Sequence, residues 1–253
     1  MTESHTRPEM IRGLEEISLN CWPALQTEFF DGWVLRFADG YSRRSNSVNP
    51  LCTSLESLPE KIRFCERRYR ENGLRVVFKL TAASEPEGLD AALELEGYGR
   101  EAPTSVQTRE LDSWQAAEPE GAAHWDEPAE EWLAAQFALN NTAPRHVATA
   151  RKILALIEPP RRFAALRDKG RIVACGVGMI RQGRLGLYDI VVDGSVRRRG
   201  FGRRLMESLL NWGKSLSASA AVLQVMMDNS PALALYAGLG FREEYRYWYR
   251  AKD

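Results

Sequence analysis

The stretch from Leu185 to Leu210 constrains the fold of this chain more than any other. An apolar run, Leu185–Val192, passes through Asp193-Gly194-Ser195-Val196 into Arg197-Arg198-Arg199-Gly200-Phe201-Gly202-Arg203-Arg204. A helical pattern follows at once, with Leu205, Leu209, Trp212 and Leu216 on one stripe. Strand, turn and helix are therefore joined with little slack. Gly200 and Gly202 permit positive φ and let backbone approach a ligand closely. The first amides of a helix have no intrahelical acceptor, and the helix dipole adds positive potential at the same point. Such a turn is able to hold a pyrophosphate, and flanking arginines add charge-assisted contacts. The same residues also read as a plain strand–helix turn with a solvated basic face. RNA contact fits less well, because no series of stacking aromatics interleaves with the arginines.

Around this turn the pattern is that of a mixed α/β sheet. Trp132, Leu133, Gln136 and Phe137 share a helical face behind Pro128, and Val147, Ala150, Leu154 and Ile157 repeat the spacing after Asn140-Asn141-Thr142. Arg162–Arg167, Arg171–Ile180 and Leu185–Val192 read as three strands joined by tight turns. Ala221–Met227 is a further strand. Asn229-Ser230-Pro231 opens a helix that carries Ala232, Leu235, Tyr236 and Leu239 on one face, and Gly240 stops it. Phe241–Arg250 alternates as a last strand, with Tyr245, Tyr247 and Tyr249 on one side.

The first half echoes this end of the chain. Pro59–Asn72, Arg75–Leu80, Gly88–Glu96 and Ser105–Glu110 read as helix, strand, helix, strand. Gly88–Glu101 resembles Pro231–Glu244: an Ala/Leu helix, a glycine stop, one aromatic, then a polar strand. Where a phosphate turn would belong stands Leu51-Cys52-Thr53-Ser54-Leu55-Glu56-Ser57-Leu58, without glycine, so no convergent nest of amides is expected there. Asp112–Asp126, rich in Pro, Gly, Ala and acid, reads as a linker. Arg43 and Arg44 follow a strand-like stretch and read as surface charge or as contacts to an acidic substrate.

Composition narrows the functional classes. Thirty-four Lys+Arg balance 34 Asp+Glu in 253 residues, which removes long-range attraction to nucleic acid or to an anionic membrane as the default. No apolar run reaches the ~20 residues of a spanning helix, and the N-terminus lacks the apolar core of a secretory signal. Four scattered cysteines read as reduced thiols of a cytoplasmic protein. His5, His124 and His146 are too dispersed for a metal cluster, and no nucleophile elbow occurs.

Two motifs carry a family resemblance. Ile190–Leu210 matches strand–(R/Q)xxGx(G/A)–helix, and Asp228–Phe241 matches NxxAxxLYxxxGF, in the right order and at the right separation. In these the chain resembles the GNAT superfamily of N-acetyltransferases, over Trp125–Arg250. The resemblance implies the GNAT acyl-CoA N-acyltransferase fold, an α/β (α+β) mixed sheet, in tandem with an incomplete N-terminal copy. The implied division is a degenerate GNAT-like domain at 1–112, a linker at 113–125 and a catalytic domain at 126–253. It implies acetyl-CoA as co-substrate, no metal, and direct attack by a primary amine in a ternary complex.

Site residues follow from the same resemblance. Ile190, Val191 and Val192 would offer main-chain groups to the pantetheine arm, and Arg197, Arg198, Arg199, Gly200, Phe201, Gly202, Arg203 and Arg204 would hold the pyrophosphate. Asn229 would help hold the arm, and Tyr236 would protonate the leaving thiolate. Taken alone, Asn229 reads equally as a helix cap and Tyr236 as core. Asp189 is the first candidate base, or else a strand-edge charge, with Glu243, Glu244 and Tyr247 behind it. The competing reading is an acyl-CoA sensor or scaffold without turnover. Expected partners are a small-molecule or peptide amine acceptor, with no membrane and no nucleic acid. The last strand lacks a hairpin partner, which Ser105–Glu110 would supply.

Overall fold

The turns Lys169-Gly170 and Gln182-Gly183, with φ of 50°, 82°, 49° and 69°, adopt the left-handed conformation that two-residue hairpins require. They fold three strands back on one another in the computed structural model, which describes residues 7–52 and 55–252. His5, Thr53 and Ser54 lie outside the described residues.

The chain divides into two compact units, one made of residues 1–105 and 244–253, the other of 106–243. The first opens with α1 (Arg7–Cys21), then β1 (Gln26–Phe30), β2 (Trp33–Phe37), β3 (Val48–Pro50), α2 (Leu58–Glu71), β4 (Val77–Thr81) and α3 (Leu89–Leu95). β5 (Gly99–Glu110) begins in the first unit and ends in the second. The second continues with β6 (Ala122–Trp125), α4 (Glu130–Leu139), α5 (Pro144–Leu156), β7 (Arg161–Asp168), β8 (Arg171–Arg181) and β9 (Arg184–Val192). α6 (Phe201–Ser215), β10 (Ala220–Met226) and α7 (Ser230–Gly238) follow, and β11 (Arg242–Ala251) returns to the first unit.

One order is used twice: three antiparallel strands, a helix, a strand parallel to the third, a helix and a strand. In the first unit the strand order is β1-β2-β3-β4-β11, and β11 runs antiparallel to β4 with Tyr247 opposite Thr81 and Ala251 opposite Val77. In the second it is β10-β9-β8-β7-β6. The last strand, expected with the second unit, thus completes the first.

Each unit has its own core. In the second, Leu205, Met206, Leu209 and Leu210 of α6 pack on Leu185, Leu187, Val173 and Leu223. Full burial of each such side chain is worth roughly 1.5–3 kcal/mol. Leu216, expected on this stripe, follows the helix and is 44% exposed. In the first unit Trp33, Phe37, Tyr69 and Phe78 are among the buried residues around Ile62 and Leu93.

The segment expected to be a linker is held against α6 and ends in β6, which pairs antiparallel with β7. Lys214 Nζ donates to the Asp112 carbonyl at 2.7 Å, and Trp114 Nε1 to Asn211 Oδ1 at 2.8 Å. Ser208 Oγ donates to Glu118 Oε1 at 2.6 Å and lies 2.6 Å from His124 Nε2, and Arg204 donates to the Glu120 carbonyl. Arg204, Ser208 and Asn211 form one stripe of α6 at spacings of four and three. The helix behind the Arg197–Arg204 turn is therefore buried on one side and strapped on another.

Candidate active site

β9 and β10 are parallel and pair from Arg184–Ala220 to Leu187–Leu223. β9 then runs on to Val192 and β10 to Met226 with no further pairs in that register. The cause lies on the other side of β9. Its register with β8 jumps from Tyr188 opposite Val177 to Val191 opposite Cys175, so Asp189 and Ile190 face the single residue Gly176. Asp189 takes up the extra length at φ 51°. A bulge of this kind increases local twist and bends the strand away from its neighbour. Gly176 makes room for it, since a Cβ there would lie 2.5 Å from Ile190 Cδ1. Gln136 of α4 secures the bulge from behind, its Nε2 donating to the Asp189 carbonyl at 3.2 Å.

Past Val192 the chain enters the arginine turn. Asp193 Oδ1 accepts from Ser195 N at 2.8 Å and Ser195 Oγ at 2.7 Å, and its Oδ2 from Arg171 at 2.6 Å. The Ser195 bonds and then Arg171 hold its carboxyl down to about 2. Arg198 and Gly200 take left-handed φ of 60° and 83°. The first intrahelical bond is Arg204 N to the Gly200 carbonyl at 3.0 Å. The amides of Phe201, Gly202 and Arg203 precede it, and no acidic residue stands in this first turn. A Cβ on Gly202 would lie 3.2 Å from Leu235 Cδ2 and 3.4 Å from Val192 Cγ2, so β9, α6 and α7 converge at that point.

The arginines divide in two. Arg199 pairs with Asp168 at 2.9 Å, Arg203 with Glu207 at 2.9 Å, and Arg204 is bound to the strap. Arg197 and Arg198 are exposed and, among the described residues, have no side-chain partner. Helix-terminal amides, two uncommitted guanidiniums and a first turn without an acid fit a diphosphate group.

Opposite, Asn229 caps α7, its Oδ1 accepting from Ala232 N at 3.3 Å. Tyr236, two turns on, is 6% exposed and packs edge-on against Phe241 at 5.9 Å. Its hydroxyl has no hydrogen-bond partner among the described residues, and burial pushes the phenol up to about 12.

Comparison with known proteins agrees with this geometry. Residues 9–250 match the family described as "Probable histone acetyltransferase Rv0428c C-terminal". The chain is 30% identical over 248 residues to the uncharacterized N-acetyltransferase YobR of Bacillus subtilis, covering 96% of this chain and 98% of that protein. Over 78 residues it is 32% identical to the [Ribosomal protein bS18]-alanine N-acetyltransferase of Escherichia coli, covering 31% of this chain and 53% of that one. In fold it is similar to a GCN5-related N-acetyltransferase from Kribbella flavida, with a TM-score of 0.70 at 16% identity, covering 96% and 94% of the two chains. The chain belongs to the GNAT superfamily of N-acetyltransferases. It is an acyltransferase of mixed α/β fold.

Most residues read from the two motifs lie along β9, the arginine turn and the start of α7, whereas Glu244 and Tyr247 belong to the first unit. In that unit Tyr247 has the Lys79 ammonium 4.1 Å from its ring centroid. Gln136 was visible as a polar residue on an apolar helical face, yet nothing local tied it to the bulge. Arg109, which donates to the Leu239 carbonyl at the end of α7, left no signal at all. Among the described residues no group of three His, Cys, Asp or Glu is placed to hold a metal, and no helix is long and apolar enough to cross a membrane.

Proposed function

We propose that the chain transfers an acetyl group from acetyl-CoA to a primary amine, by direct attack of the amine within a ternary complex. The observation that carries this reading is the Tyr236 hydroxyl, set on a buried side chain and without a hydrogen-bond partner among the described residues. The oxygen is not among the fully buried unpartnered polar atoms, so it reaches open space and is available to a ligand.

When bound, acetyl-CoA supplies an acyl group activated as a thioester. Arg197, Arg198 and the amides of Phe201, Gly202 and Arg203 would hold its pyrophosphate, with Arg199, Arg203 and Arg204 shaping the turn through their pairs. The main chain of Ile190, Val191 and Val192 lines the strand edge that β10 leaves, and suits an extended polar arm. Asn229 has its carbonyl oxygen committed to the cap and its amide NH2 available to the same arm. Tyr236, neutral at any working pH with its phenol near 12, is the proton donor to the departing sulfur. A main-chain amide of the bulge is the donor to the acyl oxygen. Asp189, half-buried at the bulge, is the group to accept the amine's proton.

The acceptor is a small-molecule or peptide amine, as for relatives named for protein amines such as the bS18 alanine. The direct test follows release of coenzyme A thiol across amine classes. Turnover with at least one class is the expected outcome; binding of acetyl-CoA without thiol release from any amine would leave a sensor and refute the reading.

A further inference from the structure

Gln136 lies on the buried face of α4 beside Trp132 and Leu133 and is 1% exposed. Its Nε2 donates at 3.2 Å to the carbonyl of Asp189, the residue that carries the bulge at φ 51°. The bond fixes which way the amide faces, since a flip would set two oxygens against each other. Its Oε1 is then buried with no donor. A buried acceptor left unmade costs stability that an apolar side chain of similar size would not lose. Packing alone therefore favours Met or Leu at this position, and the retained amide calls for another reason.

The bulge supplies one. An Asp at positive φ is tolerated but not favoured, and the ladder between β9 and β10 ends at Leu187 and Leu223 although both strands run on. Without a tie on the Asp189 carbonyl, β9 would relax its bulge and lengthen its ladder. We propose that Gln136 is a positioning residue for acyl transfer, holding the Asp189–Ile190 bulge so that β9 stays apart from β10. This rests on the acetyl-CoA-dependent reaction proposed above.

Two variants of the full chain test it. In Gln136→Met the melting temperature should equal or exceed wild type. Its affinity for coenzyme A, by calorimetry, should fall about tenfold, because a lengthened ladder takes up the β9 edge offered to the arm, and kcat should fall about tenfold or more. Gln136→Glu places a carboxylate against the Asp189 carbonyl, and only its protonated form is able to donate. Its activity relative to wild type should therefore climb as pH is lowered from about 8.5 to about 6, whereas the Gln136→Met ratio stays flat. Amide hydrogen exchange across Tyr188–Val192 should speed up about tenfold in Gln136→Met, with Arg161–Asp168 of β7 unchanged. That measurement needs no turnover, so it separates failure of the tie from failure of the acetylation reading. Unchanged exchange at the bulge overturns the proposal, as does a kcat loss accompanied by a matching loss of stability.

Discussion

The N-termini of α6 and α2 stand at the same point of the repeated order, and they differ in what neutralises them. α6 starts after a left-handed glycine, has no acid in its first turn and leaves two arginines uncommitted. α2 starts with Leu58 and then Pro59, which lacks a donor, and carries Glu60 in its first turn, with Ser57 Oγ donating to that carboxylate at 2.5 Å. The loop ahead of α2 does present converging amides, contrary to the expectation from its lack of glycine. Leu55 N and Glu56 N, each 3.0 Å away, donate to the carboxylate of Asp31, which the buried Lys61 also approaches at 3.2 Å. In the first unit the anion belongs to the protein. In the second no acid stands in the first turn of the helix, so an internal carboxylate serves the turn of one unit and none stands at the start of the helix in the other.

The widest separation between the two ends is expected from Gly202→Trp, which drives a side chain into Leu235 and Val192. Coenzyme A affinity should fall more than about 100-fold by calorimetry, while Glu60→Trp at the other helix leaves it within about twofold. Tyr236→Phe should lower kcat about 100-fold, the scale of a lost general acid, with acetyl-CoA affinity nearly intact. If kcat is unchanged, solvent or another acid serves the thiolate. Because the phenol lies near 12, wild-type kcat should show no falling limb from this group at pH 10.

Asp31→Asn should lower the melting temperature by several degrees and leave kcat per folded molecule unaltered, since it strands Lys61 in the first unit. Backbone bonds from Leu55, then Glu56, and Lys61 lower the Asp31 pKa below its ordinary 3.8. A depressed carboxylate stabilises fully above its unfolded pKa and loses that contribution as pH falls through the folded one. The gap between wild type and Asp31→Asn should therefore narrow as pH falls below 3.8 and through the lowered folded pKa. Titration should give one coenzyme A per chain, and two would break the comparison outright.

Much of the second unit was legible because its signals are local. Two-residue turns, a glycine pair before an amphipathic helix and a Pro–Gly-bounded helix each report on their immediate neighbours. What escaped was set by distant partners. Asp31 fills a loop 24 residues away, the strap on α6 is fixed by bonds spanning 84 to 102 residues, and Gln136 reaches 53 residues to the bulge. The strap's composition, Pro, Gly and Ala with acids, is that of a free linker, and its bonds to Arg204, Ser208, Asn211 and Lys214 and the pairing of β6 with β7 make it otherwise. The bulge itself needs one residue more on β9 than on β8, a count that no single strand displays.

The return of β11 to the first unit also sets a timetable. β4 acquires this neighbour from residues 247–251, some 170 positions after its own. At about 5–20 residues per second, a ribosome takes roughly 10–30 s to deliver them. Through that interval the N-terminal sheet carries an open edge, while the second unit, nearly continuous in the chain, is free to mature first. An early termination after residue 243 would spare the arginine turn and cripple the half synthesised before it.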